Sequence, residues 1–482
     1  MKKIGLLVAP LIAFTILLNA HNAQLKVLAI AFLMLSWWIT EAVPIGVTAM
    51  IPLVLFPLFD IISLKEATTS YADPVIYLFM GGLFIALALE KWKLHLRIAL
   101  NIVKLTGTDA NHIIFGFMLA SYLLSMWISN TATTVMMLPI ASSIIKLLEN
   151  QFRNDTFKKH RFALALMLGI AYSASIGGIA TLIGTPPNAV LAGYLSSTYQ
   201  YSISFASWMM LCLPLSFSIL FLCYVFLVKI IFPNRIGNLS QSASVFKDEL
   251  QKLGSMNKGE KIVLTVFLTT ALLWITGNYL NKILPFRLND TIIAVLALIM
   301  LFAIPVDWKK GEFILSWKDS EKLSWEILLL FGGGICLAST MEKVGIVAQV
   351  GEFVKNLGIN NILLVVTVLT FITVFATEVM SNVALAAVMI PLTAGIALEM
   401  KENPLITIIP ITISSSLAFM LPMATPPNAI VFASGEVRVP EMVKFGLIFN
   451  LVCILVTCFW CYILMLPLFD IEIGKLPTWI AK

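Results

Sequence analysis

The feature that most limits how this chain can fold is a polar island, Ser125-Met126-Trp127-Ile128-Ser129-Asn130-Thr131, set inside an apolar stretch and met again 252 residues later as Thr377-Glu378-Val379-Met380-Ser381-Asn382-Val383. Each copy reads a hydroxyl, three residues and then Ser-Asn, and each reaches a proline nine residues after its Asn, at Pro139 and Pro391. Gly81-Gly82 followed by Glu90-Lys91 returns at the same step as Gly333-Gly334 followed by Glu342-Lys343. Trp38-Ile39-Thr40 returns as Trp274-Ile275-Thr276, and Thr185-Pro186-Pro187-Asn188-Ala189 returns 240 residues on as Thr425-Pro426-Pro427-Asn428-Ala429. We assign the change in step to a longer polar loop from Glu149 to Arg161. A chain written twice in this way predicts two halves that face one shared site.

The medium around that site follows from the apolar content. With 482 residues, 59% of them hydrophobic and only 12% charged, the chain carries more apolar surface than a soluble domain buries. It reads as an all-α polytopic membrane protein. Runs near the twenty residues that cross a bilayer give about eleven spans, at about 4–20, 25–41, 44–60, 74–90, 162–195, 206–232, 261–283, 289–306, 324–341, 405–435 and 441–467. Residues 112–145 and 361–395, which hold the two islands, are too polar at their centres for ordinary spans and read as re-entrant hairpins. The domain order is then a leading helix over 1–24, a first repeat over 25–232, a cytoplasmic linker over 233–260, a second repeat over 261–467 and a tail over 468–482. The basic start Met1-Lys2-Lys3 and the run to Leu18 resemble a signal peptide, but no small-x-small site follows, so we read a retained helix. Five spans per half is an odd number, which makes the repeats inverted. Most of the 32 Lys and Arg fall in segments that are cytoplasmic if the N-terminus is inside and the C-terminus outside. That balance explains the net charge of +6 without a nucleic-acid partner.

Thr-Pro-Pro-Asn in mid-span removes two amide donors and frees carbonyls, which an apolar interior tolerates only beside a cavity. Broken helices expose positive N-terminal ends that suit carboxylates and free carbonyls that suit Na⁺. The neutral oxygens of Ser125, Ser129, Asn130, Thr377, Ser381 and Asn382 can coordinate Na⁺ without repelling an anion. Glu41, Glu326 and Glu378 are the acids nearest to spans, and each is read as either a functional or an interfacial group. His21, His95, His112 and His160 lack metal-ligand spacing. The six cysteines read as core filling, including Cys458-Phe459-Trp460-Cys461. Residues 92–104 read as a basic amphipathic helix on the inner surface.

These motifs resemble the divalent anion:sodium symporter family, which includes sodium-coupled dicarboxylate and citrate transporters, over nearly the whole chain. The resemblance implies a homodimer in the cell membrane, each subunit with a scaffold and a transport domain that moves as an elevator. It implies one Na⁺ on Ser125, Ser129, Asn130 and the backbone near Gly184, and a second on Thr377, Asn382 and the backbone near Ala424. It places the carboxylates of a di- or tricarboxylate at Asn130, Thr131, Thr185, Ser381, Asn382, Thr425 and Pro426. One departure stands out: the family's second motif is commonly Ser-Asn-Thr, whereas Val383 follows Asn382 here. A Na⁺-independent exchanger of the same fold is the alternative, with an anion channel or an intramembrane enzyme behind it.

Overall fold

The computed structural model describes residues 2–151, 156–239, 242–356, 358–359 and 361–480, and the parts of the expected polar loop, linker and tail that fall on other residues lie outside them. The first half comprises α1 (Lys2–Asn19), α2 (Ala23–Thr40), α3 (Ile45–Thr48), α4 (Ile51–Leu58), α5 (Leu64–Ser70), α6 (Pro74–Lys91), α7 (Leu94–Thr106), α8 (Ala110–Ser125), α9 (Asn130–Gln151), α10 (Thr156–Ile179), α11 (Pro186–Tyr199) and α12 (Phe205–Val225). After α13 (Ser242–Leu253) the pattern repeats as α14 (Lys258–Leu280), α15 (Asp290–Ala303), α16 (Trp325–Lys343), α17 (Ile346–Asn356), α18 (Ile362–Ala376), α19 (Asn382–Glu399), α20 (Leu405–Ser414), α21 (Pro426–Ala433) and α22 (Val439–Trp460). A two-stranded antiparallel ribbon, Pro305–Asp307 with Glu312–Phe313, precedes α16.

The repeated residues do the same structural work in both halves. Trp38 Nε1 donates to the Ile45 carbonyl at 3.3 Å and Trp274 Nε1 to the Asp290 carbonyl at 3.0 Å, so each indole ties the end of one helix to the start of the next. A side-chain carbon on Gly81 would lie 2.6 Å from the Ala294 carbonyl oxygen of α15, and one on Gly333 would press still harder on the Ala49 carbonyl between α3 and α4. These glycines let α6 meet α15 and α16 meet α3, so the two halves exchange helices. Each hairpin opens on an Asx cap at the 252-residue step: Asp109 accepts from the Asn111 N–H, and Asn361 accepts from the N–H groups of Leu363 and Leu364. Such caps satisfy amides that the first turn leaves unpaired.

Among the described residues, nine helices are long and apolar enough to cross a membrane, and two of them are the hairpin arms that begin at Asn130 and Asn382. Shorter apolar helices or helix pairs meet the expected spans near 4–20, 44–60, 289–306 and 405–435. The hairpin around the first island is wider than the expected 112–145, running from Ala110 to Gln151, and the second runs from Ile362 to Glu399. The expected span 162–195 is two helices, α10 and α11, separated at 180–185.

Two expectations are corrected, and one helix is added. Glu149–Arg161 is not a loop throughout, because α9 continues to Gln151 and α10 begins at Thr156; the extra residues lengthen helices. The linker is not merely a solvated connector. Its α13 packs on α7 and α9, Phe246 is buried against Phe117, and Arg97 of α7 binds Glu260 at 2.9 Å and the Gly254 carbonyl at 2.9 Å. A second amphipathic helix, α17, matches α7 in the other half; its apolar face packs on α19, and Ile346, Val347 and Gly351 are buried.

The helix exchange makes a measurable demand. Gly333→Val should lower the thermal unfolding midpoint of the purified protein in detergent, consistent with overpacking of about 1–3 kcal/mol. Gly277→Ala, whose added carbon would find its nearest atom at 4.0 Å, should not; equal midpoints for the two variants would contradict the crossing.

Candidate functional site

The first island folds into the tip between α8 and α9. Ser129 Oγ accepts from the Ala132 N–H at 3.1 Å and so caps α9. Asn130, the first residue of α9, turns its amide back towards α8, where Ser125 Oγ donates to Asn130 Oδ1 at 2.5 Å. The tip rests on the break between α10 and α11. A side-chain carbon on Gly178 would lie 2.7 Å from Asn130 Oδ1 and 3.0 Å from the Gly184 carbonyl oxygen, so only glycine allows these oxygens to share that space. The Gly184 backbone that the family resemblance implies is therefore beside Asn130.

The second tip repeats the arrangement. Thr377 Oγ1 lies 2.7 Å from Asn382 Oδ1 and 2.6 Å from the Ser415 carbonyl oxygen. A hydroxyl carries one proton, so it cannot donate to both at once. Three neutral oxygens then meet around one donor, an arrangement suited to a hard cation that takes oxygen ligands. The family resemblance implies backbone near Ala424 for this position; the carbonyl beside Thr377 is that of Ser415, while Ala424 is buried just before the N-cap of α21.

The breaks themselves are held by the asparagines of Thr-Pro-Pro-Asn. Asn188 Nδ2 donates to the carbonyls of Gly178 (3.3 Å) and Thr181 (2.7 Å). Asn428 Nδ2 donates to those of Ala418 (3.0 Å) and Leu421 (3.1 Å). Each pair corresponds at the 240-residue step. Thr185 and Thr425 are the N-caps of α11 and α21, and the prolines behind them occupy first-turn positions where a missing N–H leaves no bond unmade. Tyr172 of α10 joins the halves by donating to the Phe419 carbonyl at 2.7 Å.

Four helices, α9, α11, α19 and α21, begin at these tips and breaks, with α9 packed on α21 and α11 on α19. None has an acidic residue in its first turn, so their positive N-terminal ends are left for an anion. Ser129, Thr131 and Pro426 are exposed, Ser381 and Asn382 partly so, and Thr185 and Thr425 are buried. Thr131 and its repeat partner Val383 differ in setting as well as chemistry, for Val383 is 9% exposed within the core.

Of the three acids singled out, Glu41 ends α2 with a left-handed backbone and Glu326 is exposed in the first turn of α16. Glu378 alone is at the site, buried beside Thr377. Sequence reasoning missed Ser415, Thr181, Tyr172 and Asn450. Asn450 left a signal, as a lone amide within an apolar helix; the others left none.

Residues 3–468 match a family model described as the sodium:sulfate symporter transmembrane region. A sodium-dependent dicarboxylate transporter, SdcS, of Staphylococcus saprophyticus is 37% identical over 98% of this chain and 93% of its own length. The protein of that name in Staphylococcus aureus is 36% identical over the same shares. Among solved structures, the YdaH transporter of Alcanivorax borkumensis has a TM-score of 0.59 at 12% identity, over 93% of this chain and 99% of that one. MtrF of Neisseria gonorrhoeae has a TM-score of 0.52 at 13% identity, over 84% and 85%. Those two likenesses concern the fold.

Replacing Asn188 or Asn428 with Leu would leave two buried carbonyls without their amide donor. Each unsatisfied group is worth about 1–3 kcal/mol, so both variants should unfold at a lower temperature in detergent, and an unchanged midpoint would show that the breaks are held by something else.

Proposed function

The chain belongs to the sodium:sulfate symporter family, and from that premise we propose that it is a Na⁺-coupled symporter of small di- or tricarboxylates such as succinate, malate, fumarate or citrate. It is a transporter and not an enzyme. The observation that carries the proposal is the doubled oxygen cluster, Ser125–Asn130–Gly184 and Thr377–Asn382–Ser415. Each cluster offers neutral oxygens to Na⁺, and each lies where helices begin. Na⁺ bound there adds positive charge to the helix ends. The carboxylates then meet Asn130, Thr131, Thr185, Ser381, Asn382, Thr425 and Pro426. Occupancy by Na⁺ and by anion are thus linked, and the linkage is reciprocal.

In this reading the N-terminus is cytoplasmic, the C-terminus is outside, and the protein works as a homodimer in the cell membrane. The part built from α8–α12 and α18–α22 carries the site as an elevator past a scaffold of α1–α6 and α14–α16, with α7 and α17 as the connecting arms. The pairing of α7 with α17, one at the base of each hairpin, supports that division.

Uptake of radiolabelled succinate into proteoliposomes should require an inward Na⁺ gradient. Uptake that ignores Na⁺ but needs internal dicarboxylate would instead mark an exchanger of the same fold. Asn130→Ala and Asn382→Ala should each reduce Na⁺-driven uptake to background while the protein remains folded in the membrane; wild-type rates in either would remove the assignment. Val383→Thr adds a hydroxyl beside Asn382. A hydrogen bond to an ionised group is worth about 1.5–3 kcal/mol, so the ratio of succinate to citrate uptake should shift by roughly tenfold or more. An unchanged ratio would confine Val383 to packing.

A further inference from the structure

The joint between hairpin tip and broken helix is made differently in the two halves. In the first, the backbone carbonyl of Met126 accepts from Thr181 Oγ1 at 2.5 Å. At the 252-residue step, position 126 becomes Glu378, whose side chain is turned on the residues equivalent to 179–181. Glu378 Oε1 accepts from the backbone N–H of Phe419 at 2.7 Å and of Met420 at 2.9 Å, and from Asn450 Nδ2 at 2.8 Å. Glu378 Oε2 accepts from the Leu421 N–H at 3.1 Å. All four partners are donors, and the two carboxyl oxygens accept from every one of them.

The effect on the helix is visible in its length. α10 runs to Ile179, which corresponds to Phe419, yet α20 stops at Ser414. In a continuing α-helix the N–H of Phe419 would be bound by the carbonyl four residues earlier, that of Ser415. Glu378 takes that N–H instead, and the Ser415 carbonyl faces Thr377 Oγ1 at 2.6 Å. The equivalent carbonyl in the first half, that of Ser175, stays inside α10. An N–H turned to a side-chain carboxylate has therefore been traded for a carbonyl turned to the oxygen cluster.

We propose that Glu378 is a positioning residue for sodium at the second half-site, holding the last turn of α20 open so that the Ser415 carbonyl is presented beside Thr377 and Asn382. It touches neither the ion nor the anion. The proposal rests on the symport reading for its functional consequence, whereas the held-open turn stands by itself. It also makes the two cation positions unequal, the second preformed by a side chain that the first lacks.

The test compares Glu378→Gln and Glu378→Asp with the wild type in the full-length protein. Gln sets an amide N–H against at least one of the donors, and Asp keeps the charge but is shorter by one methylene. Hydrogen–deuterium exchange in Na⁺-free buffer should show the amides of 419–421 opening roughly tenfold faster in both variants, with 179–181 unchanged. In proteoliposomes the half-saturating Na⁺ concentration should rise roughly tenfold in both, while the succinate KM at saturating Na⁺ moves by less than about threefold. Wild-type exchange and Na⁺ dependence in both variants would overturn the proposal. So would a normal Glu378→Asp beside an impaired Glu378→Gln, which would make charge and not position the active property. An equal rise in both constants would overturn it too, by pointing to a general loss of structure. If wild-type uptake ignores Na⁺, the symport reading fails separately and the exchange measurement still decides whether Glu378 holds the turn; if Glu378→Gln does not accumulate, Glu378→Asp decides alone.

Discussion

Everything at the centre of this protein follows from the requirement that backbone polar groups released by a helix break must find partners where water is scarce. Two helices are interrupted by Thr-Pro-Pro-Asn, and in each the asparagine amide donates to two of the released carbonyls. Other groups at the breaks and tips are met by Thr181, which donates to the Met126 carbonyl, by Glu378 and by Tyr172. Once these partners are fixed, the oxygens left over, on Asn130, Gly184, Asn382 and Ser415, gather at two places. The candidate site is built from carbonyl and amide oxygens that these partners leave free to face one another.

The same requirement explains how much was legible in the sequence. Motifs whose role is local were readable: proline pairs mark breaks, Ser-Asn marks the tips, and repeated Trp and Gly mark the crossings, because each acts on backbone a few residues away or on its repeat image. Span ends were less legible. Apolar runs do not say where a helix turns back, and α9 and α10 extend through residues that look like a loop by polarity alone. α13 reads as a connector for the same reason: one apolar stripe, with Phe246 at its centre, is enough to seat it on α7 and α9, and a polar segment conceals so narrow a stripe. Long-range partners were not legible at all. Tyr172 and Phe419 are 247 positions apart, and neither belongs to a motif. Glu378 was visible as an acid in the wrong medium, but its ligation by three consecutive amides depends on α20 ending early, which the sequence does not declare.

The repeat also shows what duplication leaves free to vary. Backbone geometry at the breaks is shared, since both asparagines bond carbonyls at corresponding positions. Side-chain chemistry at the joints is not. The first half depends on close approach at three glycines: Gly177 lies against the Tyr122 backbone of α8, Gly178 against the Asn130 amide, and Gly184 against Gly178 across the break. Leu417, Ala418 and Ala424 stand at the corresponding positions of the second half, so the same approach meets side-chain carbons there.

An unwound turn resolves that conflict. With Cβ atoms in place of glycine hydrogens, the tip cannot lie against an intact helix at the depth it reaches in the first half, and the second half instead ends its helix early and bridges the gap with a long acidic side chain. The Glu378 carboxylate reaches the amides of 419–421 where the Met126 backbone reaches Thr181 directly. Glycine in one half and a carboxylate in the other are thus two solutions to one steric problem, and only the second releases the Ser415 carbonyl. The inequality of the two proposed cation positions then has its origin in the packing of the break, because the side-chain oxygens, a hydroxyl and an asparagine amide, are common to both halves and the backbone carbonyl is not.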